Sequence, residues 1–162
     1  MDANTSGTVK AWISRLEAAM GITIGATDEG AFALRTQGGA PVVIEPVAGQ
    51  MGLILSGQIG AVDDATPAPL LLALLAANLV PGMVAPSSIG LQPEDRTLVL
   101  RLLWTPGEAG WTQDGFFNVL SAFGEQVDAL AAAITSRSIE QLLPSKTPGS
   151  DTAPAQGPAH FA

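Results

Sequence analysis

Chemistry needs polar side chains of the right type at a spacing that a fold can hold, and few residues of this sequence qualify. The only histidine, His160, stands two residues from the end of a stretch rich in Pro, Ser and Thr, where it cannot be fixed as a base or a metal ligand. Adjacent carboxylates occur at Asp28-Glu29, Asp63-Asp64 and Glu94-Asp95, an arrangement that can divide acid and base roles or attract a cation. Each pair adjoins Gly or Pro in an expected turn or helix start, so turn formation and capping account for them. None continues into the alternating twelve-residue ligand pattern of a calcium loop. Cysteine is absent, which excludes disulfides, thiolate metal sites and cysteine nucleophiles. The glycines of "GQMGLILSG" lack both the strand, turn and helix order and the Lys-Ser/Thr of a phosphate loop, so they read as hairpin turns and bulges. Trp12, Trp104 and Trp111 could line a ligand groove, but core packing is the plainer account of each. Arg101 interrupts an apolar strand, where alternation lets it stand solvated on the outer face or meet a carboxylate of a partner chain.

With catalysis so poorly provided for, the positioning elements carry most of the information. A chain of 162 residues makes one domain of ordinary size. Seven basic and fifteen acidic residues give a net charge of −8, which argues against a nucleic-acid binder and against attraction to anionic lipid. The N-terminal "MDANTSGTVKAW" has no basic segment followed by an apolar one, so no cleaved secretory signal is expected and the default compartment is the cytoplasm.

Val9, Trp12, Ile13, Leu16 and Met20 recur at three- and four-residue spacing between the candidate caps Thr5 and Ser6 and the stop at Gly21, which predicts a first amphipathic helix. The period then changes to two. "AFALRT", "PVVIEP" and "MGLILSGQIG" predict a three-stranded antiparallel meander with one apolar face. After the capping residues of "DDATPAP" comes "LLLALLAANLVPG", apolar except for Asn78 and too short to cross a membrane. Strands follow at 89–91 and 97–104. A long helix then starts near Thr112 and Asp114, with Phe116, Leu120, Phe123, Val127, Leu130 and Ile134 in one stripe. From residue 144 onward "PSKTPGSDTAPAQGPAHFA" has too little apolar content to offset chain entropy and is expected to be a disordered tail, leaving 1–143 as the domain. The layout is α+β in the order α-β-β-β-α-β-β-α, an antiparallel twisted sheet of about five strands with three helices.

A helix apolar around its whole circumference must be covered on two sides. The leucine line Leu71, Leu75 and Leu79 suits the chain's own sheet, and the alanines Ala73, Ala76 and Ala77 would admit another backbone, so a homodimer with the second helix at its two-fold seam is expected. Ala73, Ala76, Ala77, Val80, Val99 and Arg101 are the interface candidates.

The leucine helix ending in "AANL", followed by "GLQPEDRTLVLRLLW" and a long amphipathic helix, resembles the class I type III secretion chaperones, the Tir-chaperone-like family, over about residues 9–143. The resemblance implies a homodimeric cytoplasmic protein of a Gram-negative bacterium, without catalysis or cofactor. Such a chaperone binds the N-terminal segment of one or more secreted effectors, keeps them soluble and export-competent, and delivers them to the secretion ATPase. It places an effector groove at Trp12, Ile13, Leu16, Phe32, Leu34 and Ile44, with a client strand adding to a sheet edge. The long tail and the Pro-rich loop "VPGMVAPSS" depart from the pattern. A second reading is a signalling or regulatory adaptor of the same fold that takes no part in secretion, and a small-molecule enzyme or carrier would need placed polar groups that the sequence does not offer.

Overall fold

The structure, a computed structural model, describes residues 3–27, 30–80 and 82–137, with the backbone alone for residues 3 and 4. The expected boundary at residue 143, the tail beyond it, His160 and the Asp28-Glu29 pair lie outside the described residues.

Six strands, β1 (Gly25–Ala26), β2 (Phe32–Arg35), β3 (Pro41–Pro46), β4 (Leu53–Ala61), β5 (Ser88–Gln92) and β6 (Thr97–Trp104), form one antiparallel sheet in the order β1-β2-β3-β4-β6-β5. The helices are α1 (Ala3–Met20), α2 (Ala68–Ala77), the single turn α3 (Gly107–Gly110) and α4 (Gln113–Thr135). This is the expected α+β layout with two additions. β1 and α3 are too short for a hydrophobic period to reveal, and β1 exists only because it pairs with Ala33 and Phe32 of β2.

Strand alternation sorts the sheet into two faces. Phe32, Val42, Ile44, Leu53, Leu55, Leu100 and Leu102 are buried on the inner face, under Val9, Trp12 and Ile13 of α1 and under the predicted stripe of α4. Thr112 caps α4 as its position suggests, its hydroxyl accepting from the Gly115 amide at 3.0 Å. The α4 stripe lies directly on β4 at Gly57, where a Cβ would come within 2.3 Å of Val127 Cγ2, so only glycine allows this approach. The three tryptophans serve this packing: Trp12 stacks on Phe116 at 5.5 Å and meets Trp111 at 5.0 Å, and Trp111 stacks on Trp104 at 5.3 Å.

Helix α2 corrects the sequence expectation. Leu70, Ala73, Leu74 and Ala77 form its inward stripe, whereas Leu72, Leu75 and Leu79 are 66%, 63% and 85% exposed. The small alanines let α2 settle close to its own core while Leu70 and Leu74 fill the space beside them; of the leucine line expected on the sheet, Leu71 stays half-buried against the core and Leu75 and Leu79 turn outward. Just past the helix, Asn78 accepts from the Ile89 amide at 2.7 Å and donates through Nδ2 to the Ile89 carbonyl at 3.1 Å. Its carboxamide thus stands in for a neighbouring strand at the free edge of β5.

Candidate functional site

An apolar groove of about 290 Å³ opens between the C-terminal half of α1, the β2–β3 hairpin and α4. Helical spacing builds two of its walls. Leu16 and Met20, four apart, come from α1, and Phe117, Leu120, Ser121 and Gly124 come from the flank of the core-facing stripe of α4. Leu34 and Val42, paired across β2 and β3, supply the third wall. Met20 at the mouth is 59% exposed, and its flexible thioether suits irregular apolar partners.

A hydrogen-bonded turn holds the hairpin against α4. The Thr36 hydroxyl donates to Asp128 Oδ1 and the Gly38 amide donates to Asp128 Oδ2 at 2.9 Å. The approach requires glycine, because a Cβ at Gly38 would lie 2.5 Å from Asp128 Oδ1. Arg35 turns its guanidinium onto the Gly39 carbonyl at 2.8 Å. Glu125, exposed on the α4 rim, has no hydrogen-bond or ion-pair partner among the described residues.

Of the six groove candidates, the structure brings Leu16 and Leu34 to the groove and leaves Trp12, Ile13, Phe32 and Ile44 buried in the core beneath it. The correction has a simple cause: these four are packed in the core cluster and less than a tenth exposed, whereas Leu16 and Leu34 lie partly buried at its margin. Met20, Val42, Phe117 and Leu120 are the other large apolar residues of the lining. Phe117 and Ser121, just off the α4 stripe, were the available sequence signal, since a large aromatic beside the core stripe asks for cover of its own.

The interface candidates divide similarly. Ala73 and Ala77 are buried within the chain and are not open to a partner, while Ala76 is exposed and Val80 half-buried. Val99 and Arg101 lie on the outer sheet face, which α1 and α4 leave open; there a broad depression of about 590 Å³ is lined by Val43, Glu45, Ser56, Gly90, Val99 and Arg101. Arg101 is exposed, and the ion pair found among the described residues is instead Arg96–Asp64, at 3.1 Å.

The described carboxylate pairs are used in turns. Asp63 Oδ1 accepts from the Thr66 hydroxyl at 2.8 Å and the Ala65 amide at 3.0 Å, and the Thr66 bond chiefly holds its carboxyl below the usual value of 3.8. Asp95 accepts from the Thr97 amide at 3.0 Å. Among the described residues no group of three or more His, Asp or Glu is placed to hold a metal ion, and no helix is long and apolar enough to cross a membrane.

What the arrangement can do is hold apolar side chains in an open groove beside a sheet edge. No curated protein matches this sequence. Among solved structures, the chain is similar in fold to one in the HopA1–SchA chaperone–effector complex, at 14% identity over 85% of this chain and 98% of that one with a TM-score of 0.58. It is also similar to one in the ExsC–ExsE complex, at 15% identity over 91% and 100% of the two chains with a TM-score of 0.60. The profile of the Tir chaperone protein (CesT) family matches residues 12–131, which contain both walls of helix and the whole sheet, and this chain therefore belongs to that family.

Proposed function

We propose that this chain, a type III secretion chaperone by its family, binds the N-terminal segment of an effector by seating apolar client side chains in the groove between α1, the β2–β3 hairpin and α4. The observation that carries this reading is the groove itself, a set of apolar walls from three elements left open to the surface. An extended client can also add to the outer edge of β2, because β1 pairs only with Ala33 and Phe32 and leaves the rest of that edge free of strand partners. Asn78 obstructs the same event at the opposite edge. No step of this function requires catalysis, a cofactor or nucleic acid, and its place is the cytoplasm, where clients wait for transfer to the secretion ATPase.

The exposed leucines of α2 and the open outer sheet face support a homodimer, with the seam carried by Leu72, Leu75 and Leu79 together with Ala76, Val80, Val99 and Arg101. Effectors carrying or lacking their first ~100 residues, a length typical of one domain, test the function by co-purification. Binding should require that segment and should fall when Gly124→Leu fills the groove; a Cβ at Gly124 makes only a 3.7 Å contact with Thr36 Cγ2, so the backbone tolerates the change. Binding that survives both changes would refute the groove and favour the adaptor reading.

A further inference from the structure

The apolar walls of the groove discriminate weakly, since one methylene more or less changes binding only modestly. Selectivity must come from charge, and three charged side chains line the groove: Arg35, Asp128 and Glu125. Arg35 is turned onto the Gly39 carbonyl, and both oxygens of Asp128 accept from the β2–β3 turn. Glu125 lies three residues before Asp128, hence on the same side of α4, and is exposed and unpartnered among the described residues. Among the described residues its carboxylate is the groove's one unpartnered acidic group; Arg35 keeps its charge and further donors beyond the Gly39 contact, but Glu125 and Asp128 together outnumber it, so the groove charge is net negative.

Resting on the groove reading above, we infer that Glu125 selects client segments in which a large apolar anchor is accompanied by a Lys or Arg two residues away. In an extended segment, residues two apart point to the same side, so anchor and base both face the chaperone. The anchor enters between Leu16, Leu34 and Leu120 while the cation meets Glu125 at the rim. The net charge of −8 favours basic segments in general, but only a carboxylate at the groove makes the preference depend on position.

Selection of peptides from a random 15-residue display library by the full-length protein tests this. The expected result is an apolar anchor with Lys or Arg enriched at the second position from it, a preference lost with Glu125→Gln and turned toward Asp or Glu with Glu125→Lys. A selected peptide should bind Glu125→Gln about two- to fivefold more weakly, the range of an exposed ion pair, and this difference should shrink at high salt. An apolar anchor without positional charge preference, or a preference unchanged in Glu125→Lys, overturns the role of Glu125 while leaving the groove intact. Selection unaltered by Gly124→Leu, or no enrichment at all, overturns the groove reading itself.

Discussion

Replacing Gly57 by alanine tests the contact on which the fold and the groove both depend. The added Cβ would stand 2.3 Å from Val127 Cγ2 and 3.2 Å from Val127 Cγ1 and Phe123 Cε1. Carbon atoms prefer about 3.5–4.0 Å, so the nearest contact is more than ~1 Å too close. Val127 and Phe123 are buried, and a β-branched valine on a helix has few alternative rotamers, so α4 itself must move outward. Overpacking of this kind costs about 1–3 kcal/mol. A contact this short on a buried β-branched residue lies in the upper part of that range, about 2–3 kcal/mol, and removing a strand glycine returns roughly 0.5–1 kcal/mol, leaving a net loss of about 1–2.5 kcal/mol, or about 2–10 °C in Tm for a chain of this size. Urea unfolding followed by tryptophan fluorescence, at fixed protein concentration, measures it. In a double-mutant cycle, Val127→Ala removes the clashing atoms, so the pair should be more stable than the sum of the single effects by about 1 kcal/mol or more. A Gly57→Ala protein as stable as the parent, or effects that add within about 0.5 kcal/mol, would refute the close seat of α4 on β4.

Four further outcomes follow from the same geometry. Asn78→Ala should cost about 1–3 kcal/mol by stripping both partners from Ile89 and should speed hydrogen exchange of the Ile89 amide, whereas Asn78→Asp keeps the acceptor and the protection; equal exchange in all three proteins would contradict the edge contact. The Asp63 carboxyl should titrate below 3.8 by NMR, because the Thr66 hydroxyl favours its charged form. With the folded value the lower one, its stabilising contribution is complete above 3.8 and disappears as pH falls through the folded value, and Thr66→Ala should reduce the shift by removing its largest cause, leaving the backbone amides and Arg96. Leu75→Arg should convert the proposed dimer to monomer in light scattering, since Leu75 is 63% exposed on the proposed seam; an unchanged dimer mass would count against α2. Ala77→Arg should instead unfold the chain, because Ala77 is fully buried in its own core.

Wherever burial follows a local period, the sequence by itself determined the structure. The four- and three-residue spacing of Phe116, Leu120, Phe123, Val127 and Leu130 can face only one core, and the alternation in "PVVIEP" and "TLVLRLLW" puts Glu45 and Arg101 on the side away from it, although Val43, Val99 and Leu103 share that outer side. The additions, the two-residue strand β1 and the one-turn helix α3, are shorter than any period and arise from neighbours. Helix α2 has no such asymmetry. Apolar on every side, it offers two mutually consistent orientations, and residue size alone pointed to the wrong one. The tertiary structure decided that Ala73 and Ala77 turn inward, because the core leaves α2 room for a close approach there, and the exposed leucine line follows from that choice. The groove was likewise beyond the sequence: its walls come from α1, β2, β3 and α4, which meet there only in the folded chain, a relation between elements that no single segment encodes.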